Sequence, residues 1–497
     1  MTCSFRLWPT QHQSRTLSQR TLIASPSLGA AASLLIGCFV MNRIVARFRR
    51  RIKTCRILRK HKKHSILENG IPARFRGSDA SQLSDPKSNS PSYEECHAAR
   101  SRLESVPAEV RRLILSVMDL PTLKAAVRAS PTLYQQYLLD RHFLLCKSID
   151  KTLDSVAIDA YAVQVVTTQS GDRDLEYLQW LQLLAEDQFI PLLERLTLEE
   201  AVSMANFYLR LIQPIRELYT CRIREQISIH RGKTIDSPQT PVEISRTEFI
   251  RLTRAMYRFH LLVQLRDSRM EWLTGRQNSR MKLYLKLLEP WEIEELLSFY
   301  QFAQGEFDKI LDDVQWDLHP DNPKFNDQHR PPTPEGAFDL SNSWYWNGYV
   351  EGLTLHGLPL LHTVLYRIKN HQHLVDVIQQ HMQASYIPLN TMEGIFGETE
   401  QALERSDTEP SDKNGMQERR DPLPFRGDSE PDAPPLAWTT IWGGTYSNLY
   451  GWYIPDELRE WGYVFWDATT LEAIGGIELL RHQWDDCWGG DDPRDDL

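Results

Sequence analysis

The chain has 497 residues, 41% of them hydrophobic and 25% charged, which is enough apolar material for two or three domains and too much for a disordered protein. Its formal net charge of −9 hides an asymmetry: residues 1–67 hold 14 Lys or Arg and no Asp or Glu, leaving 43 basic against 66 acidic residues in the remaining 430. A body this acidic would be repelled by a polyanion, which argues against nucleic acid as the main partner.

The first element is Leu22–Met41, an uncharged stretch that runs into the basic segment Arg43–Lys63. It is just long enough to span a bilayer, and the Lys and Arg behind it would hold the large body on the cytoplasmic side as a single-pass anchor. The lack of acidic residues, with Arg and Ser prominent, equally fits an organelle-targeting presequence. A third reading is that the first ninety or so residues are not part of the natural product, and the three stay open. The seven cysteines, Cys3, Cys38, Cys55, Cys96, Cys146, Cys221 and Cys487, show no C-x-x-C spacing, and there is no Asn-x-Ser/Thr sequon. That pattern fits a reduced cytoplasmic or nuclear body rather than a disulfide framework. Residues 68–100, rich in Ser, Pro, Asp and Gly, read as a linker.

Residues 101–148 form the most informative stretch. Val106-Pro107 opens it, and Val110, Leu113, Ile114 and Val117 recur at helical spacing. Leu120-Pro121 breaks that helix, Leu123, Ala126 and Val127 begin a second, and Ser130-Pro131 stops it because the residue before proline is pushed out of the helical region. Leu133, Tyr137, Leu138 and the Phe143–Leu145 run suggest a third helix. With Val106-Pro107-Ala108-Glu109-Val110 where the family usually has Leu-Pro-x-Glu-Leu, then Ile114, the Asp119–Leu123 turn and Ala129-Ser130, the segment resembles an F-box in the divergent form found in large fungal families. Pro131 stands where many members carry a basic residue. The resemblance implies a three-helix module that docks on the adaptor subunit of a cullin-RING ubiquitin ligase through Pro107, Val110, Ile114, Val117, Leu120, Pro121 and Leu123. Pro107, Val110, Ile114, Leu120 and Leu123 would then share an exposed apolar face, and the rest of the chain would recruit a protein target. The alternative is a helical scaffold with no ubiquitin role, in which these helices are ordinary core.

The pattern that follows is helical, so the expected fold is mainly α: the F-box-like module, then a helical domain with a Trp/Tyr-rich C-terminal element. Within 150–318, Thr197-Leu198-Glu199-Glu200 and Ser245-Arg246-Thr247-Glu248 have the form of capping boxes, each ahead of an apolar stripe, and a third helix starts near Pro290. Residues 319–396 continue this domain, with the aromatic run Ser343–Tyr349 and a helix over Leu360–Ala384. Residues 397–436 are charged, Pro-rich and poor in aliphatics, which predicts a disordered insertion. Seven of the fourteen tryptophans fall between Trp438 and Trp488, too many for a solvated tail, so 437–484 should pack, with Trp461–Asp467 as a buried strand-like run. Residues 485–497, with six aspartates, read as a solvated acidic tail.

Nothing at recognisable spacing supports catalysis. There is no phosphate-cradling glycine loop, no H-E-x-x-H and no G-x-S-x-G. Of the five histidines His356, His362, His371, His373 and His381, the 371/373 pair points to different helix faces and the 373/381 pair is too far apart along the axis for one metal. No catalytic set, cofactor or metal is therefore expected. The tryptophan and tyrosine groups at 344–349 and 442–466 are candidates for core, with some of them available to a target.

Overall fold

The computed structural model describes residues 103–168, 196–230, 244–265, 284–285, 287–325, 338, 340–385, 423–445, 450–490 and 492–494, all inside one compact unit running from Tyr93 to Leu497. The basic segment, its Leu22–Met41 stretch, the linker and residues 397–422 of the expected insertion lie outside the described residues. Among those described, 77% are in helices and none is in a strand, so the architecture is mainly α. No described helix is long and apolar enough to cross a membrane.

Four helices open the described chain: α1 (Ala108–Ser116), α2 (Leu120–Ala129), α3 (Pro131–Leu139) and α4 (Arg141–Leu153). Local chemistry sets their ends. The Asp119 side chain accepts from the Thr122 amide at 2.9 Å with Pro121 in the first turn, and Ser130, extended at φ −141°, accepts from the Leu133 amide just before Pro131. The third expected helix is two helices, since the chain breaks at Asp140. Ile114, Leu115, Met118, Leu123, Ala126, Leu133 and Leu144 are buried apart from the main core, whereas Leu120, Leu145, Ile149 and Leu153 belong to it. Helix α4 thus joins this module to the body, and Thr152 Oγ1 accepts from the Leu120 amide at 2.8 Å.

The body follows as α5 (Ala157–Thr168), α6 (Leu198–Phe207), α7 (Gln213–His230), α8 (Arg246–Gln264), α9 (Pro290–Leu318), α10 (Ser343–Thr354), α11 (Gly357–His362) and α12 (His371–Ser385). Helices α6 and α7 are continuous through a π-helical turn, Tyr208–Ile212. Both capping boxes form, Thr197 with Glu200 ahead of α6 and Ser245 with Glu248 ahead of α8, and Pro290 starts α9. The helix expected over Leu360–Ala384 is interrupted: a π-helical turn at Thr363–Arg367 ends in extended backbone at Ile368, and the Asn370 side chain then accepts from the His373 amide at 3.0 Å to begin α12. Helices α8 and α9 pack together at the centre, with Phe259 edge-on to Phe299 at 5.3 Å.

The C-terminal part adds α13 (Leu436–Ile441), α14 (Asp456–Glu460), α15 (Ala468–Ile474) and α16 (Gly476–Trp488). The run expected as a strand is instead a 3-10 turn, Tyr463–Phe465, entered through Gly462 at φ +66°, where a Cβ would lie 2.6 Å from Tyr219 Oη. Buried aromatics thus signalled packing, and the glycine decided its form. Trp438, Trp442, Trp484 and Trp488 pack in succession, the first two pairs edge-to-face and the last tilted, with centroids 5.6–6.3 Å apart. Two further expectations need correction. Leu423–Pro435 is part of the fold rather than a disordered insertion, because Asp428 and Asp432 meet buried arginines of α8. Residues 485–488 complete α16, and Asp492 accepts from Trp484 Nε1 at 3.1 Å, so this part of the acidic segment folds back on the aromatic ladder.

Candidate protein-docking surface

Seven of the ten large hydrophobic residues that stand exposed among the described residues fall within one stretch, from Val110 to Phe143. Helix α1 carries two apolar stripes. Ile114 and Leu115 face inward, while Val110, Leu113 and Val117, at i, i+3 and i+7, face solvent, with Leu113 59% exposed. On α3, Leu133 and Gln136 are buried, and Tyr134, Leu138 and Leu139 are exposed, Leu139 at 81%. Phe143 begins α4 on the same side as α1, since the Arg112 guanidinium lies 4.4 Å over its ring and 3.3 Å from Asp140. Exposed leucines scattered singly are ordinary, but their concentration on one small module marks a surface that a partner can cover.

The seven residues expected from sequence to touch an adaptor divide between inside and outside. Val110 and Val117 are exposed, Pro107 is exposed at the head of α1, and Pro121 is half-buried in the first turn of α2. Ile114, Leu120 and Leu123 are buried, at 4% or less, so the expectation that they share an exposed face is corrected. They hold the helices that display the others. Leu113, Tyr134, Leu138, Leu139 and Phe143 were missing from the expected set. Their signal was present in the sequence as apolar residues lying off the inward stripe of each helix, a reading that requires knowing which stripe is inward.

The other chemically dense regions are internal. Helix α8 buries Arg251 and Arg254 and partly buries Arg258. Arg254 Nη2 donates to Glu295 Oε1 at 2.7 Å, its Nη1 also pairs with Asp432, and Arg258 bonds Asp159 at 3.0 Å and Glu292 at 2.8 Å. Burial pushes the Glu292 carboxyl up, but Arg258, Arg254 and the Glu289 amide outweigh it and hold it at about 2. Arg251 lies 3.2 Å from Asp467 and 3.7 Å from Asp428. Burial raises Asp467 to about 6 against the lowering by the Ser245 hydroxyl and Arg251, with Asp428 and Glu248 adding to the rise. In a second cluster Arg459 bonds Glu294 through Nε at 2.9 Å, and Glu294 also accepts from the Gly451 amide at 2.8 Å. These groups neutralise one another and tie α8 and α9 to the C-terminal segments.

A groove of about 670 Å³ between α14 and α16 is lined by Glu457, Glu478, Leu479, His482, Gln483, Asp486 and Cys487, with His482 Nδ1 2.8 Å from Asp486. Burial raises the Cys487 thiol, with Glu457 and Asp456 adding to the rise, so it is no activated nucleophile. His356 and His381 approach with ring centroids 4.7 Å apart, and no group of three or more metal-ligating side chains occurs among the described residues. No protein-family model matches the chain, nor does any curated protein or solved structure.

Proposed function

We propose that residues 103–146 dock this chain on the adaptor subunit of a cullin-RING ubiquitin ligase, and that the helical body with its Trp-rich C-terminal element holds a protein target. The observation carrying this reading is the exposed apolar set Val110, Leu113, Val117, Tyr134, Leu138, Leu139 and Phe143 on a module with its own small core. Covering a leucine-sized side chain is worth about 1.5–3 kcal/mol, so a few well-placed contacts of this kind suffice for a specific complex. The F-box-like order of proline-led helices supports the same reading. Ile114, Leu120 and Leu123 then act from within, setting the angle at which α1 and α3 present their outer faces.

The reading is tested by binding of the purified full chain to the adaptor, alongside Leu113→Asp/Leu139→Asp. Both positions are exposed, so the variant keeps its circular dichroism and melting profile while adaptor binding falls at least tenfold. A folded wild type that fails to bind sinks the proposal. In that case the second reading, a helical scaffold without a ubiquitin role, takes its place; the burial of Leu120 in the main core is the observation on its side.

A further inference from the structure

The apolar surface of the module sits on a basic island in an acidic chain. Residues 103–153 hold seven Lys or Arg against five Asp or Glu, reversing the balance of the body. Arg111 is occupied by the Val106 carbonyl at 2.7 Å and Arg112 by Asp140 and the Phe143 ring. Among the described residues Arg128, Arg141, Lys147 and Lys151 make no ion pair, and Lys147 and Lys151 are exposed one and two turns beyond Phe143 on α4. Their neighbours on this surface include the exposed acids Glu109 and Asp150.

We infer that the partner covering α1, α3 and α4 presents an apolar face bordered by carboxylates that meet Lys147, Lys151 and the nearby arginines. This rests on the docking reading above and gives that partner its surface chemistry. Apolar contact supplies the hold, while opposite charge at the rim accelerates encounter and fixes orientation. A second copy of this chain is the competing occupant, since its acidic body has the same sign.

The experiment measures association and dissociation rates of the full chain with the purified adaptor at about 0.05 M and 0.3 M salt, a change that shortens the reach of exposed charge by a factor of about 2.4. Lys147→Glu/Lys151→Glu is run in parallel with its fold checked by circular dichroism. The inference expects the association rate to fall about tenfold with salt and by a similar factor in the variant, with dissociation changing less than twofold. Binding whose association rate ignores both salt and charge reversal overturns the acidic border and leaves the docking reading standing. No binding by the folded wild type overturns the docking reading itself. Self-association through this face that the adaptor cannot displace, seen by sedimentation, overturns both.

Discussion

The N-terminal module and the C-terminal aromatic element are both unusually rich in large apolar side chains, and they deploy them in opposite ways. Trp438, Trp461 and Trp484 are fully buried, whereas Leu113, Leu138 and Leu139 stand in solvent on helices whose inner faces are already filled. In the first case the side chains hold the fold together. In the second they contribute little to it, and a partner that covers them would give them a larger energetic role. Composition alone does not separate the two, because the difference lies in which face of a short helix each residue occupies.

The comparison breaks most visibly where buried groups are removed. Trp461→Ala should destabilise by about 3–5 kcal/mol in denaturant unfolding, because an aromatic of that size leaves a cavity that the 3-10 turn beside it cannot close. Glu294→Gln should cost about 3 kcal/mol by leaving the buried Arg459 with only the exposed Asp456 as a charge partner, while Glu294→Met/Arg459→Met recovers much of that loss. A double variant no more stable than the single would contradict this account of the Glu294 cluster.

Acid is the next lever. His260 is buried beside the Phe207 ring, 5.2 Å away, and burial lowers its pKa from 6.5 to about 4. The unfolded chain takes up a proton at this group as pH falls below 6.5 and the folded chain does so only near 4. Its contribution is therefore fully present above 6.5 and is lost across that window, by about 3 kcal/mol at most. Asp467 acts in the opposite sense, since its pKa is raised from 3.8 to about 6 and its stabilising effect fades as pH rises through that range. His260→Gln should flatten the loss of unfolding free energy between pH 6.5 and 4; an unchanged slope would remove His260 from the explanation.

The smallest effect sharpens the comparison from the other side. Leu139→Asp, on the exposed surface, should shift unfolding by less than about 0.5 kcal/mol. A loss above 2 kcal/mol would mean that α3 is covered by this chain after all.

Much of the helical order was legible because the start signals are local. The Thr197 and Ser245 capping boxes and Pro290 depend on residues within one turn, and they form as their spacing implies. What depended on distant partners was not legible. Asp428 and Asp432 lie in a stretch whose composition reads as disordered, and they are ordered because Arg251 and Arg254, far upstream in sequence, are buried and need counterions. The 3-10 turn after Gly462 depends on how closely Tyr219 approaches. At the docking surface the apolar residues were visible, yet the split between Ile114, inside, and Leu113, outside, follows from where α3 and α4 press against α1.

The arginine row of α8 bears on how this protein is made. Arg251 emerges from the ribosome 216 residues before Asp467, and Arg254 emerges 178 residues before Asp432. At about 5–20 residues per second, Arg251 waits roughly 9–35 s for Asp428 and roughly 10–40 s for Asp467. Arg254 meets Glu295 after only 41 residues. The N-terminal end of α8 is therefore among the last parts of the central helix pair to become neutral, along with Glu294 of α9, whose partner Arg459 follows it by 165 residues. Nascent chains stalled before residue 428 should be cut there by protease, and chains released after residue 467 should resist.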